Sequence, residues 1–142
     1  MNRVIVTGGA GFIGSNLVKR LLDDGIDEIL VIDDFSTGKK ENLHNSSKIH
    51  LIESKLEDID DLNIKFEGYD FCYHLAAGVG VQYIMDNLSD SLLTNIQGTH
   101  IVYEACKENR IPLLITSTSE VYGTSEEKSW DEETKSLIGP TT

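Results

Sequence analysis

Three glycines spaced three apart, Gly8, Gly11 and Gly14, stand between a β-branched run and an amphipathic run, and few folds use that arrangement. Arg3–Thr7 (RVIVT) reads as a short buried strand that stops at glycine. From Gly11 the apolar residues shift to helical spacing, with Ile13, Leu17 and Leu21 expected on one face and Val18 and Leu22 widening it. Each glycine has its own expected task. Gly8 permits a tight turn, Gly11 lets the backbone approach a pyrophosphate, and Gly14 lets the helix lie close on the sheet. The start of that helix, at Phe12 and Ile13, then offers unpaired N–H groups and a partial positive charge to phosphate oxygens.

A glycine turn alone is a weak signal; its context strengthens it. Gly25 is a natural helix stop, and Glu28–Asp33 (EILVID) reads as a second strand ending in carboxylates. Asp33 falls 19 positions after Gly14. There a carboxylate can accept hydrogen bonds from both hydroxyls of an adenosine ribose, and it repels a 2′-phosphate, so the expected cofactor is NAD rather than NADP.

The pattern then repeats. Residues 34–48 are polar loop, 49–52 a weaker strand, 57–62 a helical turn or two, and 70–75 a fourth strand. Residues 86–109 read as a long helix with Leu88, Leu92, Ile96 and Val102 among its apolar positions, and 112–118 as a fifth strand. Strands alternating with helices predict an α/β fold: a doubly wound parallel sheet of the Rossmann type, about five strands, in one domain over residues 1–142. A ligand is expected at the carboxyl ends of the strands.

Charge narrows the partners. Twelve basic residues against 24 acidic ones give a net charge of −12, a surface that repels nucleic acid and anionic lipid. No apolar run reaches the roughly 20 residues that span a bilayer, and the first residues lack the apolar stretch of a signal peptide, so a cytoplasmic location is expected. Cys72 and Cys106 sit in apolar or helical contexts as buried, reduced thiols, and the scattered histidines show no zinc spacing, so no metal is expected.

Five segments, in order, resemble one family. Beyond the glycine turn they are Asp33-Asp34-Phe35-Ser36-Thr37-Gly38, His74-Leu75-Ala76-Ala77, Asn95-Ile96-Gln97-Gly98-Thr99 and Ser117-Thr118-Ser119-Glu120-Val121-Tyr122-Gly123. Together they resemble the extended short-chain dehydrogenase/reductases, the NAD-dependent nucleotide-sugar epimerases, dehydratases and decarboxylases. The resemblance implies a sheet that is incomplete relative to the family. It also implies that Asp34, Ser36, Thr37, Gly38, Leu75, Ala76, Ala77 and Asn95 join Gly8, Gly11, Phe12, Ile13, Gly14 and Asp33 around the cofactor. In that family a tyrosine, its pKa lowered by a lysine and by NAD⁺, takes a proton from a sugar hydroxyl while hydride leaves the same carbon. A Ser or Thr hydroxyl, by position Thr118, steadies the forming ketone. Ser119-Glu120 resembles the UDP-glucuronate decarboxylase branch, in which Glu120 would act as acid or base near C5; an NDP-sugar 4-epimerase is the alternative.

Two departures qualify that resemblance. No Tyr-x-x-x-Lys follows Thr118, and the chain reaches Gly139-Pro140-Thr141-Thr142, a segment resembling the one just before the helix that carries the pair. Tyr103-Glu104-Ala105-Cys106-Lys107 matches the spacing but precedes the Thr118 strand, so it is read as ordinary helix surface. These residues are therefore expected to bind NAD without turning over a nucleotide sugar, the substrate implied for the full-length context. A non-catalytic NAD module, or a half-protein needing a partner chain, is the alternative. The second departure is Ser54-Lys55 where the family often has Gly-Asp against adenine, which leaves that contact to the Leu56 backbone and apolar packing, or to Asp58. The family dimerises through the long helix and the one that would follow, and only the first lies in these residues, so a homo-oligomer is left open.

Overall fold

The computed structural model describes residues 2–78, 88–123 and 129–134, and for Leu88, Asp90, Ser119 and Glu120 the backbone alone. Five parallel strands, β1 (Arg3–Thr7), β2 (Glu28–Asp33), β3 (Ile49–Glu53), β4 (Phe71–His74) and β5 (Leu113–Ile115), form one sheet in the order β3-β2-β1-β4-β5. The order reverses beside β1. Thr7 pairs with Ile32 on one side and His74 on the other, so the exits of β1, β2 and β4 lie side by side. This reversal is where open α/β sheets leave a crevice.

The central strands are apolar on both faces because both are covered. Val4, Val6, Ile29 and Val31 pack with Val18 and Leu21 of helix α1 (Phe12–Asp23). Ile5, Leu30, Ile32 and Cys72 point the other way. They meet Leu62 of the short helix α2 (Leu62–Lys65) and Val102, Ala105 and Cys106 of a long helix. That long helix comprises α3 (Leu88–Leu93), a π-helical turn (Thr94–Gly98) and α4 (Thr99–Asn109). At the amino ends of the strands Arg3 forms a two-pronged pair with Glu28 at 2.9 and 2.7 Å, and the Tyr69 hydroxyl donates to the same carboxylate at 2.6 Å. These donors hold the Glu28 carboxyl down at about 2, while burial pushes the Tyr69 phenol up to about 12.

The doubly wound parallel sheet is as expected; several details differ. Ile13 is 66% exposed, and the buried stripe of α1 is Gly14, Val18 and Leu21, because the glycine must face the sheet for the helix to lie close. The long helix turns Leu92 and Ile96 outward and buries Ser91, Gly98, Val102, Ala105 and Cys106. The inner side there favours small residues, and the π turn shifts the helical phase. Positions 86 and 87 of that expected helix lie outside the described residues. The turn expected at 57–62 is two pieces, a 3₁₀ turn at Leu56–Asp58 and then α2. Strand β5 ends at Ile115, three residues early, and pairs only with β4 among the described residues. Cys72 and Cys106 are buried free thiols. Among the described residues no helix is long and apolar enough to cross a membrane.

Candidate functional site

The glycine turn closes β1 onto α1. Gly8 has a left-handed φ of +70°, and a Cβ there would stand 2.7 Å from the Ala76 backbone nitrogen. Gly14 lies so close under the turn that a Cβ would overlap the Gly8 carbonyl oxygen and stand 2.7 Å from Gly9 Cα. Gly11 is different: a Cβ there would meet only the Gly8 oxygen, at 3.4 Å, leaving its outer side open. Phe12, Ile13 and Gly14 begin α1, so their N–H groups have no carbonyl one turn earlier. The Phe12 side chain is 85% exposed, which leaves the backbone of Phe12 and Ile13 as what the turn presents to an anion.

Asp33 is only 8% exposed and is tied to this turn. Its Oδ2 accepts the Ala10 N–H at 2.8 Å and its Oδ1 accepts the Phe35 N–H at 2.9 Å. A carboxylate has about four acceptor positions, so each oxygen keeps one for an outside hydroxyl. The following loop wraps the same alanine. Lys39 N–H and Asn42 Nδ2 donate to the Ala10 carbonyl at 3.2 and 2.8 Å, and Gly38 packs so near that a Cβ would stand 2.9 Å from the Ala10 carbonyl carbon. Asp34 is exposed, and its Oδ1 accepts both the N–H and the hydroxyl of Ser36, a local turn; Thr37 is exposed. Leu56 is buried in the core beneath the π turn, with its carbonyl accepting the Ile59 N–H, and Lys55 and Asp58 are exposed.

The exit of β4 forms the other wall. His74 is buried between two hydroxyls, with Nδ1 at 2.7 Å from Thr7 Oγ1 and Nε2 at 3.0 Å from Thr99 Oγ1. Burial lowers its pKa to about 4, so the ring is neutral at neutral pH. Thr7 Oγ1 also accepts the Ala76 N–H at 3.3 Å. Four residues after His74, the Gly78 N–H donates to Asn95 Oδ1 at 2.7 Å and the Gly78 carbonyl accepts from Asn95 Nδ2 at 3.3 Å. The carboxamide of Asn95 is thus engaged with the loop backbone. Leu75 and Ala76 are half-buried and Ala77 is exposed, between these two anchors. Thr7 and Thr99 were not singled out from sequence. The available signal was that Asn95 and Thr99 stand four apart on a helix, and so share a face.

Thr118 lies past the end of β5 and is exposed, its carbonyl accepting the Val121 N–H at 3.3 Å. The side chains of Ser119 and Glu120, and the segment 139–142, lie outside the described residues. Tyr103 and Lys107 share the outer side of α4, where Lys107 Nζ is paired with Glu104 at 3.0 Å. They are four and eight residues along the helix from Thr99, which touches the site.

Comparison with known proteins agrees with this geometry. The pattern of the NAD dependent epimerase/dehydratase family matches residues 4–142. UDP-glucuronic acid decarboxylase 1 of Arabidopsis thaliana is 40% identical over 124 residues, 85% of this chain and 27% of that protein. A UDP-N-acetylglucosamine 4-epimerase from Methanobrevibacter ruminantium M1, solved with UDP-N-acetylmuramic acid, superposes with a TM-score of 0.86 at 34% identity, covering 96% of this chain and 44% of that one. A dTDP-glucose 4,6-dehydratase from Streptomyces venezuelae, solved with NAD and TYD bound, gives a TM-score of 0.84 at 31% identity, covering 95% and 45%. The chain therefore spans roughly a quarter to under half the length of these relatives. With its glycine turn, its sheet order and nearly all of its residues matched, the chain belongs to the NAD-dependent epimerase/dehydratase family.

Proposed function

We propose that these 142 residues are the NAD-binding portion of an enzyme that modifies nucleotide sugars by transient oxidation at the sugar C4. One observation carries this reading. The open side of Gly11, at the bare start of α1, lies in the same turn as Ala10, whose N–H the buried Asp33 carboxylate holds. That combination fits a pyrophosphate and the ribose beside it. Phe12 and Ile13 offer N–H groups to the pyrophosphate beside the open side of Gly11, whose own N–H is held by the Gly8 carbonyl, and Asp33 takes the ribose hydroxyls and disfavours a 2′-phosphate. Leu75, Ala76 and Ala77 form the wall on the β4 side. NAD, when bound, supplies reversible hydride acceptance. Thr118 would donate its hydroxyl to the sugar oxygen where negative charge grows, and Glu120, with Ser119 beside it, would move a proton near C5.

Ser119-Glu120 and the decarboxylase relatives favour decarboxylation of a UDP-glucuronate-type substrate, with 4-epimerisation the alternative. We place the enzyme in the cytoplasm. The outward Leu92, Ile96 and Tyr103 of the long helix, each about half exposed or more, support a homo-oligomer. NAD binding and sugar-nucleotide conversion are to be assayed separately on the 142-residue chain. Binding without conversion supports the reading. Appreciable turnover by these residues alone would refute the expectation of binding without conversion, and failure to bind NAD would overturn the whole assignment.

A further inference from the structure

The exit of β4 is held at two points, four residues apart, by two residues of one helix that are also four apart. His74 meets Thr99, and Gly78 meets Asn95. Between these anchors lies Ala76, whose N–H donates to Thr7 Oγ1 and whose nitrogen sits 2.7 Å from where a Gly8 Cβ would be. Thr7 is the last residue of β1, directly before the glycine turn. A buried hydroxyl that accepts the Ala76 N–H completes its bonding by donating its own proton, and the acceptor within reach is His74 Nδ1 at 2.7 Å. A neutral imidazole accepting at Nδ1 carries its proton on Nε2, which then donates to Thr99 Oγ1 at 3.0 Å. The direction runs one way: the Ala76 amide to Thr7, Thr7 to His74, His74 to Thr99.

We propose that His74 is a positioning residue: through Thr7 and Thr99 it fixes the separation between the glycine turn and the Ala76 wall, and so sets how tightly a dinucleotide is held. The proposal rests on the cofactor reading above, and the topology gives it a particular form. Asp33 leaves β2 on one side of β1, whereas Ala76 follows β4 on the other. The relay therefore governs the half of a dinucleotide that crosses beyond the turn, and leaves the adenosine half to Asp33.

The test compares Thr7→Val, which keeps the shape and removes the hydroxyl, with Thr7→Ser, which keeps the hydroxyl. AMP serves as a probe of the adenosine half and NAD of the whole, measured calorimetrically well below the unfolding temperature of each variant. Losing the relay is expected to weaken NAD by about tenfold, the effect of one buried hydrogen bond, with AMP within about twofold of wild type. Thr7→Ser should retain both affinities. Equal NAD affinities for the folded Val and Ser variants would overturn the proposal, as would NAD and AMP weakening together. The relay is also judged with no ligand present. The ¹⁵N resonances of His74 should show an unprotonated Nδ1 and a protonated Nε2, and Thr7→Val should move the Nδ1 resonance and speed exchange of the Ala76 amide. A protonated Nδ1, or neither change, would overturn it. A wild-type chain that binds neither AMP nor NAD would instead refute the cofactor assignment, while these ligand-free measurements still decide the relay.

Discussion

Replacing Asp33 separates two tasks that the structure assigns to one carboxylate. In the free protein it accepts the Ala10 and Phe35 N–H groups. Ala10 is fully buried, so truncation to alanine strands its N–H at a cost of about 1–3 kcal/mol. Truncation also removes the bond that the same carboxylate accepts from the N–H of Phe35, which has a left-handed φ of 56°, a further loss of about 1 kcal/mol. Asp33→Ala should therefore lose roughly 2–4 kcal/mol of stability, a sizeable share of the 5–15 kcal/mol typical of a domain. Asp33→Asn removes the charge and keeps an acceptor for Ala10 but turns its NH2 toward the Phe35 N–H, so a stability loss of about 1–2 kcal/mol accompanies the ligand effect and is measured separately by unfolding. Two ribose hydrogen bonds to an ionised acceptor are each worth about 1.5–3 kcal/mol, and weakening them should lower NAD affinity by about 100-fold. A phosphate charge about 4 Å from the carboxylate is repelled by about 4 kcal/mol at an effective dielectric constant near 20, so NADP binding should improve by at least about tenfold in the same variant. Calorimetric titration of both dinucleotides at fixed ionic strength, alongside urea unfolding, measures each effect. If folded Asp33→Asn binds NAD and NADP as the wild type does, the carboxylate is not at the ribose and the cofactor assignment fails.

Gly14→Ala and Gly11→Ala should diverge. A methyl at Gly14 overlaps the Gly8 carbonyl, costing about 3 kcal/mol or more of stability by chemical unfolding, whereas one at Gly11 has room, so that variant should fold normally and weaken NAD. The Arg3 and Tyr69 donors hold the Glu28 carboxyl down at about 2, against 4.5 for a free glutamate, so its contribution is complete above about pH 4.5 and lost as the pH falls toward 2. Glu28→Gln should remove that slope, worth roughly 2 kcal/mol for a partly solvated pair, from urea midpoints measured between about pH 5 and 3. His74 stays neutral to about pH 4 when folded but takes a proton near 6.5 when unfolded, so stability should decline as the pH drops through that interval. The total is about 3 kcal/mol, and His74→Gln should flatten the decline; a wild-type profile already flat from 6.5 to 4 would contradict the buried, neutral ring.

Local chemistry was legible wherever one residue type has one physical use. A φ of +70° at Gly8 and the contact beneath Gly14 follow from positions that only glycine fills, and the spacing of three made both readable. The same holds for EILVID, a run apolar enough to be buried on both faces and closed by a carboxylate. Faces of helices were less legible. Leu92 and Ile96 carry the greasy side chains, yet the inner side holds Ser91 against Gly78, Gly98 against Leu56, and Val102, Ala105 and Cys106 in the core, since the helix comes this close only where its side chains are small or compact. Ile13 was misassigned to the buried face for the same reason.

The sequence by itself determined the parallel α/β order, the glycine turn and the carboxylate at the end of the second strand, because each depends on the conformational limits of a few consecutive residues. Only the tertiary structure decided that Thr7, His74 and Thr99 form one hydrogen-bonded line, that Asn95 closes on Gly78, and that Asp33 grips Ala10. Those partners lie 17 to 67 residues apart. A hydrogen bond spans only about 3 Å, so such pairs are fixed by how strands register and helices pack, and no local periodicity records it.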